Sequence, residues 1–182
     1  DVGLNIPALT RTVEQADLDD RTHRELEDIL SHRQTSYEEI FDALSSGAVD
    51  QVLPAIMDLR KVTSHAKLAH TTEYVVSLCE QGESAVVFTW ERQTAELLAQ
   101  RVGHQAKVPT YVIHGGYTQS ERDNMVDAFQ KSGGVIFATI DSLGVGVTLT
   151  RARVVILHDL DWTPAKLLQA EGRVRRIGQT HP

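Results

Sequence analysis

This chain predicts an α/β fold, a parallel sheet with helices on both faces, preceded by a helical extension. Three observations carry the prediction. Four short apolar runs, at 84–89, 109–113, 134–138 and 153–157, have the length of buried strands. Segments with helical spacing, near 91–103, 118–131 and 163–176, alternate with them, and that alternation calls for parallel strands covered on both sides. The composition, 41% hydrophobic and 24% charged over 182 residues, is that of an ordinary globular chain able to bury one core.

Taken in order, Leu9 to Ala16 alternates loosely like a strand. Leu18-Asp19-Asp20 then puts acids where a helix dipole favours them, ahead of a helix from Arg21 to Leu30. Further helices are expected from Tyr37 to Leu44 and from Val49 to about Val62, separated by Ser45-Ser46-Gly47. Beyond residue 64 the first buried strand, Ser84 to Thr89, leads into a helix with Ala95, Leu98 and Val102 on one stripe. Tyr111-Val112-Ile113 ends in His114-Gly115-Gly116, and Ser120-Glu121-Arg122 with Phe129 lies on the helix that follows. Val135 to Ala138 empties into the glycine-spaced loop Thr139 to Thr150, where Gly144 and Gly146 let backbone N–H groups approach a phosphate or sugar. The last strand runs into Asp159-Leu160-Asp161-Trp162-Thr163-Pro164. These shifts divide the chain into an N-terminal strand and helical extension, 1–64, and a lobe, 65–182.

The most informative stretch is Gln169-Ala170-Glu171-Gly172-Arg173-Val174-Arg175-Arg176-Ile177-Gly178-Gln179. On a helix, Gln169, Arg173 and Arg176 fall at i, i+4 and i+7 and share a stripe, so two guanidinium groups point the same way. Each stays charged, bonds two phosphate oxygens at once and stabilises charge developing on a transferring phosphoryl group.

That run resembles the last motif of superfamily-two helicases, Gln-x-x-Gly-Arg-x-x-Arg, in the Arg-Ile-Gly-Gln form of the Swi/Snf family of DNA translocases. The loop at 139–150 is similar to the family's fifth motif through Gly144, Gly146 and Leu149, with Leu143 in place of its first glycine and Thr148 in place of its asparagine. Asp159 to Pro164 resembles Asp-x-x-Trp-Asn-Pro, again with threonine for asparagine. Ser84 to Thr89 resembles the fourth motif, Ser120-Glu121-Arg122 with Phe129 a Ser-x-x-Glu-Arg…Phe helix, and Leu59-Arg60 with His65 the helix before the second lobe.

The resemblance implies the C-terminal RecA-like, P-loop NTPase-type lobe of a two-lobe ATP hydrolase that tracks or remodels double-stranded DNA, with 18–64 as its extension. It implies Gln169, Arg173 and Arg176 as catalytic residues, Gly144 and Gly146 with the two arginines at the nucleotide, and Thr89, His114, Gly115, Gly116, Thr139 and Trp162 along the DNA. No Gly-x-x-x-x-Gly-Lys-[Ser/Thr] loop and no Asp-Glu-x-His box occur here. ATP and Mg²⁺ are therefore expected on the N-terminal RecA-like lobe of the same protein, and this piece alone is expected to be inactive. Two alternatives stay open: a lobe of a DEAD-box or repair-type helicase, and a motor-derived module retained only for protein interaction.

A net charge of −7 argues at first sight against nucleic acid, but its distribution matters more. Residues 1–50 hold twelve acids against four arginines, whereas 151–182 hold six basic residues against three acids. The motif-bearing end is the basic one. A single cysteine, Cys79, excludes an internal disulfide and fits a reducing compartment, and the eight histidines show no zinc-ligand spacing. No apolar stretch approaches the ~20 residues that span a bilayer. An intracellular monomer, cut from a longer protein and without a membrane or metal partner of its own, is the expectation.

Overall fold

The computed structural model describes residues 10–143 and 149–160. They fall into two compact units, Glu14–Leu68 and a second that takes up from Ala69.

The first unit is helical. Asp19 caps α1 (Asp20–His32) by accepting the Thr22 N–H at 2.7 Å, and that bond holds its carboxyl below the ordinary carboxylate range. Ser36 and Glu39 form a reciprocal capping box on α2 (Tyr37–Ser46), and Gly47, at φ 82°, ends the helix in the left-handed region. A 3-10 turn over Val49–Gln51 precedes α3 (Leu53–Ala66). Leu30, Ile40, Ala43, Val52, Ala55 and Ile56 make the core of this unit, and Arg33 Nη2 meets Asp58 Oδ2 at 2.6 Å across α1 and α3.

Two sequence expectations need correction here. Residues 10–16 form no strand: they are mostly exposed, and none of them pairs with a strand among the described residues. The single helix expected from Val49 breaks at Val52, where Pro54, which lacks an N–H, sits in the first turn of a new helix that runs on to Ala66.

The second unit opens with α4 (Leu68–Glu80) and alternates β1 (Ala85–Thr89), α5 (Arg92–Ala106), β2 (Thr110–Ile113), α6 (Gln119–Ser132), β3 (Val135–Thr139) and β4 (Val154–Leu157). All pairings are parallel and the strand order is β2-β3-β1-β4. From β1 the chain moves two places out to β2, then one place back to β3. Right-handed crossovers in opposite directions set α5 and α6 on opposite faces. Phe129 of α6 packs on Val86, Phe88, Ile136 and Ala138, and meets Tyr111 edge to face with ring centroids 6.1 Å apart. Ala95, Leu98 and Val102 of α5 are fully buried. Between α6 and β3, Gly134 stands at φ 101°, and a Cβ there would lie 2.2 Å from the Pro109 carbonyl oxygen, so this corner admits only glycine.

Candidate nucleic-acid interface

Parallel strands deliver all their C-terminal ends to one edge, and in open α/β sheets ligands sit there. Thr89, Ile113, Thr139 and Leu157 end the four strands. Beyond them a cleft of about 320 Å³ is lined by Trp90, Arg92, His114, Gly115, Gly116, Thr139, Ile140 and Asp141.

Each wall is held by an identifiable bond. The Trp90 N–H donates to Asp159 Oδ2 at 3.0 Å, which ties the β1–α5 turn to the segment after β4. The His158 N–H donates to the Phe88 carbonyl, and its ring Nδ1 is 2.8 Å from Thr71 Oγ1 of α4. Ser142 Oγ lies 2.8 Å from the Ile113 carbonyl and 2.7 Å from that of Thr139, so one hydroxyl bridges the ends of β2 and β3.

His114 is 5% exposed. The Gly116 N–H donates to its Nδ1 at 3.0 Å, and the ring stacks on Tyr117 with centroids 4.4 Å apart. A nitrogen that accepts an N–H carries no proton, so the neutral ring keeps its proton on Nε2. That buried Nε2 has no hydrogen-bond partner, and Glu96 Oε1 stands 3.6 Å from it. Burial and the Arg92 guanidinium push the His114 pKa below its ordinary value, against a smaller opposing pull from Glu96. Arg92 itself, at the first position of α5, is bonded to Glu96 Oε1 at 2.8 Å and stays charged. Glu91, the residue before it, makes no capping hydrogen bond, so the N-terminal dipole of α5 is not answered by its own cap.

Of the residues expected along DNA, His114, Gly115, Gly116 and Thr139 share this cleft. Thr89 ends β1 but is fully buried, and its hydroxyl donates to the Glu91 carbonyl at 3.0 Å, so its side chain serves the turn. Gly144, Gly146, Trp162, Gln169, Arg173 and Arg176 lie outside the described residues. Sequence reasoning missed Arg92, Trp90, Asp141, Ser142 and Asp159. Arg92 had a signal, a cation at the first helical position after a buried strand; the others are brought in by contacts distant in sequence. Among the described residues no three acid, histidine or cysteine side chains are grouped to hold a metal ion, and no helix is long and apolar enough to cross a membrane.

The family model for the helicase conserved C-terminal domain matches residues 66–178. The chain is 34% identical over 121 residues, 65% of its length, to the SWI/SNF-related matrix-associated actin-dependent regulator of chromatin subfamily A-like protein 1 of Xenopus laevis, of which it spans 12%. It is 32% identical over 151 residues, 80% of its length, to the DNA annealing helicase and endonuclease ZRANB3 of Homo sapiens, spanning 14% of that protein. Its fold matches the Sulfolobus solfataricus SWI2/SNF2 ATPase core solved with double-stranded DNA, with a TM-score of 0.66 and 20% identity, over 91% of this chain and 37% of that one. The chain thus spans about one-eighth of the curated relatives it matches. The family match covers the whole sheet of four parallel strands, so the chain belongs to the helicase conserved C-terminal domain family, and the relatives and fold neighbours it resembles are of the Swi/Snf type.

Proposed function

We propose that this chain is the second motor lobe of an ATP-dependent double-stranded DNA translocase or remodeller, with residues 65–182 as the lobe and 1–64 as its extension. The observation that carries the DNA half is the convergence of His114, Gly115, Gly116 and Thr139 with Arg92 on one cleft. Arg92 offers a guanidinium, and Gly115 a backbone with nothing within 4 Å of where a Cβ would stand. These groups suit phosphate oxygens, and phosphate contacts position a protein on a duplex without reading its sequence. Glu96 and Asp141 beside them temper the positive charge, so the grip is weak. The solved Sulfolobus relative with bound double-stranded DNA supports this choice of partner.

For the ATP half, the support is the run from Gln169 to Gln179 and the family it matches. ATP supplies the phosphoryl group whose transfer to water drives movement. Arg173 and Arg176 stabilise the charge that develops on that group, Gln169 bonds near the γ-phosphate or the attacking water, and the Gly144–Gly146 loop couples nucleotide to DNA. The described residues offer no donor set for Mg²⁺, which is assigned with the P-loop to the first lobe of the longer protein. Full-length protein is thus an ATP hydrolase, and this piece alone is not.

Titrating a duplex against this chain at several salt concentrations tests the DNA half. Binding is expected to be weak, indifferent to sequence and linear in log K against log salt, and Arg92→Ala should flatten the slope by about 1 for every sequence alike. Tight, salt-resistant binding to one sequence would overturn the proposal.

A further inference from the structure

Helix α2 carries apolar side chains on more of its circumference than its unit buries. Ile40 and Ala43 face inward, among Leu30, Val52, Ala55 and Ile56. At about 100° per residue, Tyr37, Phe41 and Leu44 fall on an adjoining stripe roughly a quarter turn round the helix. They remain 55%, 71% and 41% exposed. One exposed leucine or tyrosine is ordinary. Two aromatics and a leucine at i, i+4 and i+7 on one helix form the anchor pattern through which helices meet partners.

The border of the stripe is charged with one sign. Glu38 and Asp42 flank it on the side away from the core, and α2 contains no basic residue. Glu39 is engaged in the capping box, and the surrounding sequence adds to the negative field, with twelve acids against four arginines over residues 1–50.

We propose that the Tyr37–Phe41–Leu44 stripe is a docking surface for a basic amphipathic helix of a partner protein, whose apolar anchors pack on Phe41 and its neighbours while its lysines or arginines meet Glu38 and Asp42. The charges select this occupant over the others. A second copy docked face to face would set Glu38 and Asp42 against themselves, because an isologous contact pairs a patch with itself. Nucleic acid and an anionic lipid surface are repelled by the same acids. A cationic apolar segment gains at both the centre and the rim. The stripe shares no residue with the cleft, so its test is independent of the DNA reading.

The probe is a fluorescein-labelled peptide of about 18 lysine and leucine residues patterned as an amphipathic helix, with a composition-matched scramble, titrated by anisotropy against this chain and against the full-length protein. The patterned peptide is expected to bind both proteins about 10-fold more tightly than the scramble does. Phe41→Ser should weaken it by about 10-fold or more, Asp42→Lys should weaken it and flatten its salt dependence, and Glu25→Lys, an exposed reversal on α1 away from the stripe, should weaken it far less than Asp42→Lys does. Because Phe41 is mostly exposed, unchanged helical circular dichroism and denaturation midpoint will show that its variant folds. Equal binding of the scramble, an affinity indifferent to Phe41→Ser, Phe41-dependent self-association in sedimentation, or binding by this chain that the full-length protein lacks would each overturn the proposal.

Discussion

The ring of His114 is held by what surrounds it, and two consequences are measurable. Gly116 stands so close that a Cβ there would lie 2.9 Å from His114 Cε1 and 3.0 Å from Nδ1, while at Gly115 nothing is within 4 Å. The stacked, hydrogen-bonded ring has little room to yield, so Gly116→Ala should cost about 1–3 kcal/mol in a denaturant titration. Gly115→Ala should stay within about 0.5 kcal/mol; equal losses would mean the ring is not fixed. The second consequence concerns acid. The folded-state pKa of His114 lies below the unfolded value of 6.5, so the unfolded chain binds the extra proton first. The stability this ring supplies is present above pH 6.5 and drains away as pH falls below it toward the folded value. His114→Asn keeps an acceptor for the Gly116 N–H and removes the titration, so its urea midpoint should fall less between pH 7.5 and 5.5 than that of the wild type. Parallel falls would mean that the acid sensitivity does not come from His114. The sequence marked His114, Gly115 and Gly116 because a strand ended there in glycines. It could not show that Thr89 turns inward, since β1 is buried on both faces and alternation gives no direction to its last hydroxyl.

Among the elements, the four strands and α5 and α6 were legible to within a few residues, because each has a period and a boundary signal of its own. Helix α4 was not. Its buried positions, Leu68, Thr71, Thr72 and Val75, have helical spacing, but two of the four are threonines that an apolar scan passes over, and only Lys67 separates it from α3. Glu121 changed its reading as well. The Ser120-Glu121-Arg122 segment suggested a family motif, and in the structure Glu121 Oε2 takes the Thr118 N–H and hydroxyl, both at 2.7 Å, and closes a capping box at the start of α6. Since the Thr118 hydroxyl accepts the Glu121 N–H, Thr118→Ala should destabilise the protein by about 1 kcal/mol, read as a shift in denaturation midpoint. No shift would mean that water caps α6 equally well.

At the scale of the whole molecule, the cleft and the arginine run are two halves of one proposed device, and only the full-length protein tests the second. Losing an arginine finger costs about 10³- to 10⁵-fold in rate where it has been measured. Arg176→Ala should therefore bind ATP and DNA nearly as wild type does and lose DNA-stimulated hydrolysis, with Arg176→Lys rescuing little because an ammonium lacks the fork. Arg175, off the stripe, serves as the control: hydrolysis lost with Arg175→Ala and kept with Arg176→Ala would reverse the assigned roles. The parts of the cleft that the sequence did not show are those fixed by distant contacts, such as the bond from Trp90 to Asp159, which no local pattern encodes. The same separation governs how the sheet is born. Ala85 pairs with Val135 on one side and Val154 on the other, so every neighbour of β1 is synthesised after it. A strand buried along its whole length thus leaves the ribosome with no partner on either edge, and α5, β2 and α6 all emerge before it finds one. Such late, non-local pairing slows folding and leaves Ala-Val-Val-Phe-Thr with both edges open to a chaperone or another nascent chain in the meantime.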